Sequence, residues 1–121
     1  MGSTTIGTKK EFAIKQAADM LPVVSNNKVF IVADTETTGF GAYDDILEIG
    51  AVKIDAETRK VIQSFSTYCR MKNHKKIPQK IVDLTGITTA DVADAPNIET
   101  VLTAFRQFIG DTPLVFHNAA F

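Results

Sequence analysis

Val29-Phe30-Ile31-Val32-Ala33 is an unbroken apolar run with three β-branched residues, and it ends on an acid, Asp34. A strand that is apolar on successive residues has no face to turn to water. It therefore belongs in the middle of a sheet covered on both sides, which points to an α/β layer structure. Thr37-Thr38-Gly39 breaks the run, and Tyr43-Asp44-Asp45 continues as a polar loop.

The remaining chain fits that frame. Ile46 to Ile54 and Val61 to Cys69 read as strands, and the short Asp55 to Lys60 connection makes them an antiparallel hairpin. Gln63, Ser64, Ser66 and Thr67 mark the later strand as an edge. Pro78 to Leu84 predicts a short helix and Thr85-Gly86 a turn. A longer helix follows, capped by Asp94 or Asn97, with Ile98, Val101, Leu102, Phe105, Phe108 and Ile109 on one stripe. Gly110 and Pro113 end it. Leu114 to His117 is then a strand that returns beside the first and parallel to it. Near the start, Lys9 to Leu21 has helical character, with Phe12, Ala13, Ala17, Met20 and Leu21 near one face, and Pro22 stops it. The division is an N-terminal extension with a helix over 1–27 and a mixed α/β sheet over 28–121.

At 45% hydrophobic and 22% charged, the 121-residue chain has the balance of one globular domain. Its net charge of −1 gives no whole-chain attraction to nucleic acid. A single cysteine, Cys69, excludes an internal disulfide and a thiolate metal cage. No apolar run could span a membrane and no secretion signal opens the chain, so a cytoplasmic setting is expected.

The chemistry lies in Asp34 and Glu36. Residues two apart on a strand share a face, so both carboxylates project together at the strand's carboxyl end, where open α/β sheets place their sites. Adjacent carboxylates repel unless a cation lies between them, and hard oxygen ligands favour Mg²⁺ or Mn²⁺. A pair of solvated acids is the plainer reading of Asp-x-Glu alone. The apolar strand before it and the Thr-Thr-Gly turn after it favour a site. Gly39 lets backbone approach a ligand, and the Thr37 and Thr38 hydroxyls are candidate donors to phosphate or sugar oxygens. Other signals are weaker. Glu48 sits in an apolar strand and reads as a structural acid paired with a backbone amide or a cation, the alternative being an acid that supports the site from behind. Arg70, Lys72, Lys75 and Lys76 form a basic loop that reads as solvated, with His74 exposed in it.

Asp34-Thr35-Glu36-Thr37-Thr38-Gly39 resembles the first motif of the DEDD superfamily of 3′→5′ exonucleases. Glu48-Ile49-Gly50-Ala51-Val52 is similar to that family's second strand, and Leu84-Thr85-Gly86-Ile87 to its turn before the long helix. Val115-Phe116-His117-Asn118-Ala119-Ala120-Phe121 looks like the start of its second motif. The closest resemblance is to the proofreading exonuclease of bacterial DNA polymerase III, the epsilon subunit or the equivalent polymerase-embedded domain. The resemblance implies an RNase H-like mixed sheet, incomplete at the C-terminus. It implies two divalent metal ions, Mg²⁺ or Mn²⁺, with Asp34 and Glu36 as catalytic metal ligands. Thr37, Thr38, Gly39, His117, Asn118 and Phe121 would contact substrate. It also implies a single-stranded DNA 3′ end as substrate and the DNA polymerase III catalytic subunit as partner. The alternative is a non-catalytic fragment that binds metal, nucleic acid or a polymerase without turnover.

The family's second motif continues with an Asp and its third supplies a His base and a last Asp, whereas these residues stop at Phe121. Two-metal hydrolysis needs both ions held and a base beside the water. The 121-residue polypeptide is therefore expected to leave a 3′-labelled oligonucleotide intact in Mg²⁺ or Mn²⁺. Clear degradation that Asp34→Ala removes would contradict this.

Overall fold

The computed structural model describes residues 14–16, 18 and 28–117. Its strands are β1 (Val29–Thr37), β2 (Ile46–Asp55), β3 (Val61–Tyr68) and β4 (Leu114–Phe116). Between β3 and β4 lie the helices α1 (Gln79–Thr85), α2 (Thr89–Ala93) and α3 (Ile98–Ile109). The sheet order is β3-β2-β1-β4, with β1, β2 and β3 an antiparallel meander and β4 parallel to β1. This is the mixed sheet the hairpin and crossover spacings predict.

β1 is central, as its apolar run requires. Ile31 and Ala33 join Ile49, Ala51, Phe65 and the α3 residues Val101, Phe105 and Phe108 in one buried cluster. Val32 points the other way, into a cluster with Val52, Ile54, Ile14 and Ala18. Residues 14–16 and 18 are helical, and the wholly buried Ile14 and Ala18 give this segment its role as cover for the second face. The stripe expected there, Phe12, Ala13, Ala17, Met20 and Leu21, lies outside the described residues. Arg59 ties the hairpin turn to this segment, its Nη1 donating to the Ala18 carbonyl at 3.2 Å.

α3 begins on Asn97, whose side chain accepts from the Thr100 amide, and ends at Gly110 with φ 53°. Its buried face is Val101, Phe105 and Phe108, with Ile98, Ala104 and Ile109 at the margin. Leu102, expected on that stripe, is 43% exposed, because the helix rotates Ala104 toward the sheet instead. α2 was not expected from the sequence. It is five residues long, and a capping box between Thr88 and Asp91 holds it.

A bulge sits where β1 leaves the sheet. Glu36 pairs with Glu48, but Thr37 pairs with Ile46, so Leu47 is the extra residue. Ile46 keeps contact with the α3 side, while Leu47 joins Ile77, Ile87 and Val92 in a third cluster. The bulge thereby anchors the segments flanking α1 next to the end of β1.

Phe65 sits between the Phe105 and Phe108 rings, 5.6 and 5.4 Å centre to centre, and is 2% exposed. Phe65→Ala is expected to lower the unfolding free energy by about 3–5 kcal/mol in urea denaturation. A loss below about 1 kcal/mol would show that α3 is not packed on β3 as described.

Candidate active site at the carboxyl end of strand β1

β1 runs through Thr37, so Asp34 and Glu36 both lie on regular strand and share a face with Val32. This strand is longer than the run Val29 to Asp34 read from hydrophobicity, because ladder pairing carries it past the apolar residues. Asp34 is 8% exposed, and Gly50 stands opposite it, leaving side-chain space on that face. Glu36 stands opposite Glu48, and Glu48 opposite Tyr68, so one row across the sheet carries two acids and a phenol. Burial, and after it the nearby Glu48, raise the Tyr68 phenol above 10.0. Glu48 thus belongs to the site's row, although its sequence setting reads as structural.

A cleft of about 550 Å³ opens here. One wall is the end of β1 and its turn, Asp34 to Phe40; the other is Pro78, which caps α1, and Lys80, Ile81, Leu84 and Thr85 on the helix. The structure brings Asp34, Glu36, Thr37, Thr38 and Gly39 together on this cleft. The His117 amide donates to the Ala33 carbonyl at 2.8 Å, which sets its backbone beside the same strand end. Its side chain is exposed and is not among the cleft-lining groups. Asn118 and Phe121 lie outside the described residues.

The turn after Glu36 is held by internal bonds. Thr37 Oγ1 donates to the Gly39 carbonyl at 2.8 Å, and Thr38 Oγ1 donates to Asp44 Oδ1 at 2.9 Å. Both hydroxyl protons are thus committed inside the loop, and a ligand has to meet the turn through other atoms. Asp44 Oδ2 also accepts from the Gly41 amide at 2.8 Å. That carboxylate explains Gly39: a Cβ there would stand 2.6 Å from Asp44 Oδ2 and 2.9 Å from its Cγ.

His74 is half-buried rather than exposed, and it lies between two acids. Its Nδ1 is 2.8 Å from Asp45 Oδ2 and its Nε2 is 3.4 Å from Asp44 Oδ1. The buried Asp45 also accepts from the backbone amides of Lys72, Asn73 and His74 at 2.8–3.1 Å. Spacings of 27 to 29 residues leave no periodic trace, so sequence reasoning found only a polar loop and a basic loop. Cys69 is not a nucleophile: burial pushes its thiol up to about 11.

Bonds from the Gly41 amide and then the Thr38 hydroxyl hold Asp44 below the ordinary 3.8. For Asp45, burial pushes upward, and the His74 ring and three loop amides more than offset it. Depressed carboxyls stabilise the fold above their ordinary value, and that contribution is lost as pH falls through the folded values. Carboxyl-carbon NMR should give midpoints below 3.8 for both. The Lys72–His74 amides should lose exchange protection together with Asp45. A midpoint at or above 3.8 for Asp45 would contradict the arrangement.

Residues 31–121 match the sequence model of the RNase_T family, described as exonuclease. The PolC-type DNA polymerase III of Clostridium perfringens is 46% identical over 93 residues, 76% of this chain and 6% of the polymerase. That of Staphylococcus aureus is 39% identical over 100 residues, 82% of this chain and 7% of the polymerase. The chain therefore spans under a tenth of these relatives' length. The nuclease domain of 3′hExo, a DEDDh family member bound to rAMP, superposes with a TM-score of 0.66 at 20% identity, covering 76% of this chain and 52% of that one. E. coli exonuclease I in complex with a dT13 oligonucleotide gives 0.65 at 23%, covering 76% of this chain and 21% of that one. These likenesses show the fold, the mixed sheet of an RNase H-like exonuclease. With the family match spanning most of its length, the chain belongs to the exonuclease family.

Proposed function

We propose that this chain carries the first half of a metal-dependent 3′→5′ exonuclease site of the proofreading type, acting on the 3′ end of single-stranded DNA. The observation that carries the reading is the cleft at the end of β1, with Asp34 and Glu36 on one face of its floor. The donors suit a hard divalent cation such as Mg²⁺ or Mn²⁺: two carboxylates share a face, and a glycine stands opposite one of them.

Asp34 and Glu36 would hold the metal, and a metal pair bound there would supply water activation and leaving-oxygen stabilisation. The Thr37–Gly39 turn would bound the terminal nucleotide, with the exposed Phe40 and Leu84 at the rim. His117, Asn118 and Phe121 are proposed to continue the substrate groove from the β4 side. The identity to PolC-type polymerases supports DNA over RNA, a DNA polymerase III partner and a cytoplasmic setting. A second reading, binding without turnover, is favoured by one observation. Among the described residues no three His, Cys, Asp or Glu side chains group closely enough to hold an ion. A nuclease assay separates the two.

Titration of the chain with Mn²⁺, followed by the loss of free-ion EPR signal, should reveal weak binding that Asp34→Ala abolishes. Asp111→Ala removes an exposed acid at the opposite end of the sheet and should leave binding unchanged. Equal binding by wild type and Asp34→Ala would refute the site. Competition between oligo-dU and oligo-rU on the Mn²⁺-loaded chain tests the substrate class, because the 2′-OH is then the only chemical difference. Preference for oligo-rU would overturn the DNA assignment.

A further inference from the structure

Asp45 bonds to one wall of the cleft and to the loop that leads into the other. Toward β1, its carbonyl accepts from the Thr38 amide at 2.9 Å, and its amide donates to Thr38 Oγ1 at 2.8 Å. Toward α1, its carboxylate takes the amides of Lys72, Asn73 and His74, the loop that runs three residues later into Ile77 and Pro78. The His74 ring closes the same junction, with Asp45 on one nitrogen and Asp44 near the other. Asp44 in turn holds Thr38 and Gly41 and packs against Gly39. The Leu47, Ile77, Ile87 and Val92 cluster anchors the α1 wall from beneath.

We propose that Asp45 and His74 are positioning residues: a brace between the Thr38–Gly39 turn and the 72–74 loop that sets the separation of the two cleft walls and so holds the nucleotide in place. The proposal rests on the cleft being a nucleotide site. Its chemistry explains why charge is used here. A carboxylate can accept several amides and a ring nitrogen at once, and bonds to an ionised acceptor are stronger than neutral ones. The brace therefore imposes direction and spacing that apolar packing at an open rim could not.

The test has two readouts on the full chain. Spin labels on Phe40→Cys and Leu84→Cys report the wall separation directly, since both residues are exposed on opposite walls and the native Cys69 is buried. Titration of unlabelled, ¹⁵N-enriched chain with dTMP in Mg²⁺ reports binding through the amides of Thr37–Gly39 and Lys80–Thr85. Wild type should give a narrow distance distribution. Asp45→Asn and His74→Ala should broaden it, and should raise the dTMP Kd about tenfold and about threefold respectively, with β1–β3 amide shifts unchanged. His74→Asn, whose amide nitrogen can stand where Nδ1 stands, should restore the narrow distribution. A merely structural role would lower stability without this selective rescue.

An unchanged distance distribution in folded Asp45→Asn would overturn the brace. Should that variant fail to fold, His74→Ala against His74→Asn decides, and equal distributions there overturn it. Broadening in a chain whose wild type binds no dTMP would overturn the role in holding nucleotide, and would count against the cleft reading itself.

Discussion

Everything in this domain depends on β1 being buried on both faces. Its odd residues meet α3 and its even residues meet the N-terminal helical segment, so the strand has no freedom to shift register without exposing one set. That constraint fixes where the strand ends. The first two even residues beyond the apolar run are Asp34 and Glu36, and they leave the packed layer together. Burial of one strand thus delivers two charges to one point at a known spacing. A register slip of one residue would turn both carboxylates into the α3 core.

The bulge at Leu47 turns that point into a cleft. An uninterrupted ladder would carry β2 on beside Thr37. The extra residue instead sends Leu47 outward, where it nucleates the cluster of Ile77, Ile87 and Val92. α1 is seven residues long with no fully buried residue, and it is placed by these flanking contacts together with its half-buried Ile81 and Val82, which pack on the same cluster. One wall is therefore continuous with the central strand, and the other is attached through a bulge and a polar brace. The second wall is the one expected to yield first.

Much of this was legible in the sequence. The central strand, the hairpin, the parallel return of β4 and the edge position of β3 follow from hydrophobic runs, loop lengths and crossover rules, which are local or topological signals. Asp34, Glu36 and Gly39 were legible because strand alternation and turn chemistry act over a few residues. The reason for Gly39 was not. It reads as room for a ligand, whereas the structure puts the Asp44 carboxylate where a Cβ would be. His74 was misjudged as exposed, because its partner Asp45, 29 residues away, is set by tertiary contact alone. The row that Glu48 shares with Glu36 is likewise set by strand register. Leu102 shows the limit of periodicity, since a helical stripe predicts a face only to within one residue's rotation, and Ala104 took its place.

The central claim is that the end of β1 is a divalent-metal site directed at a nucleic acid 3′ end. Crystals of the chain soaked in Mn²⁺ with a short oligo-dT test it most directly. Anomalous density beside Asp34 and Glu36, with the 3′-terminal nucleotide between the Thr38–Gly39 turn and α1, is the result expected. Mn²⁺ density elsewhere with none at Asp34 would contradict the account.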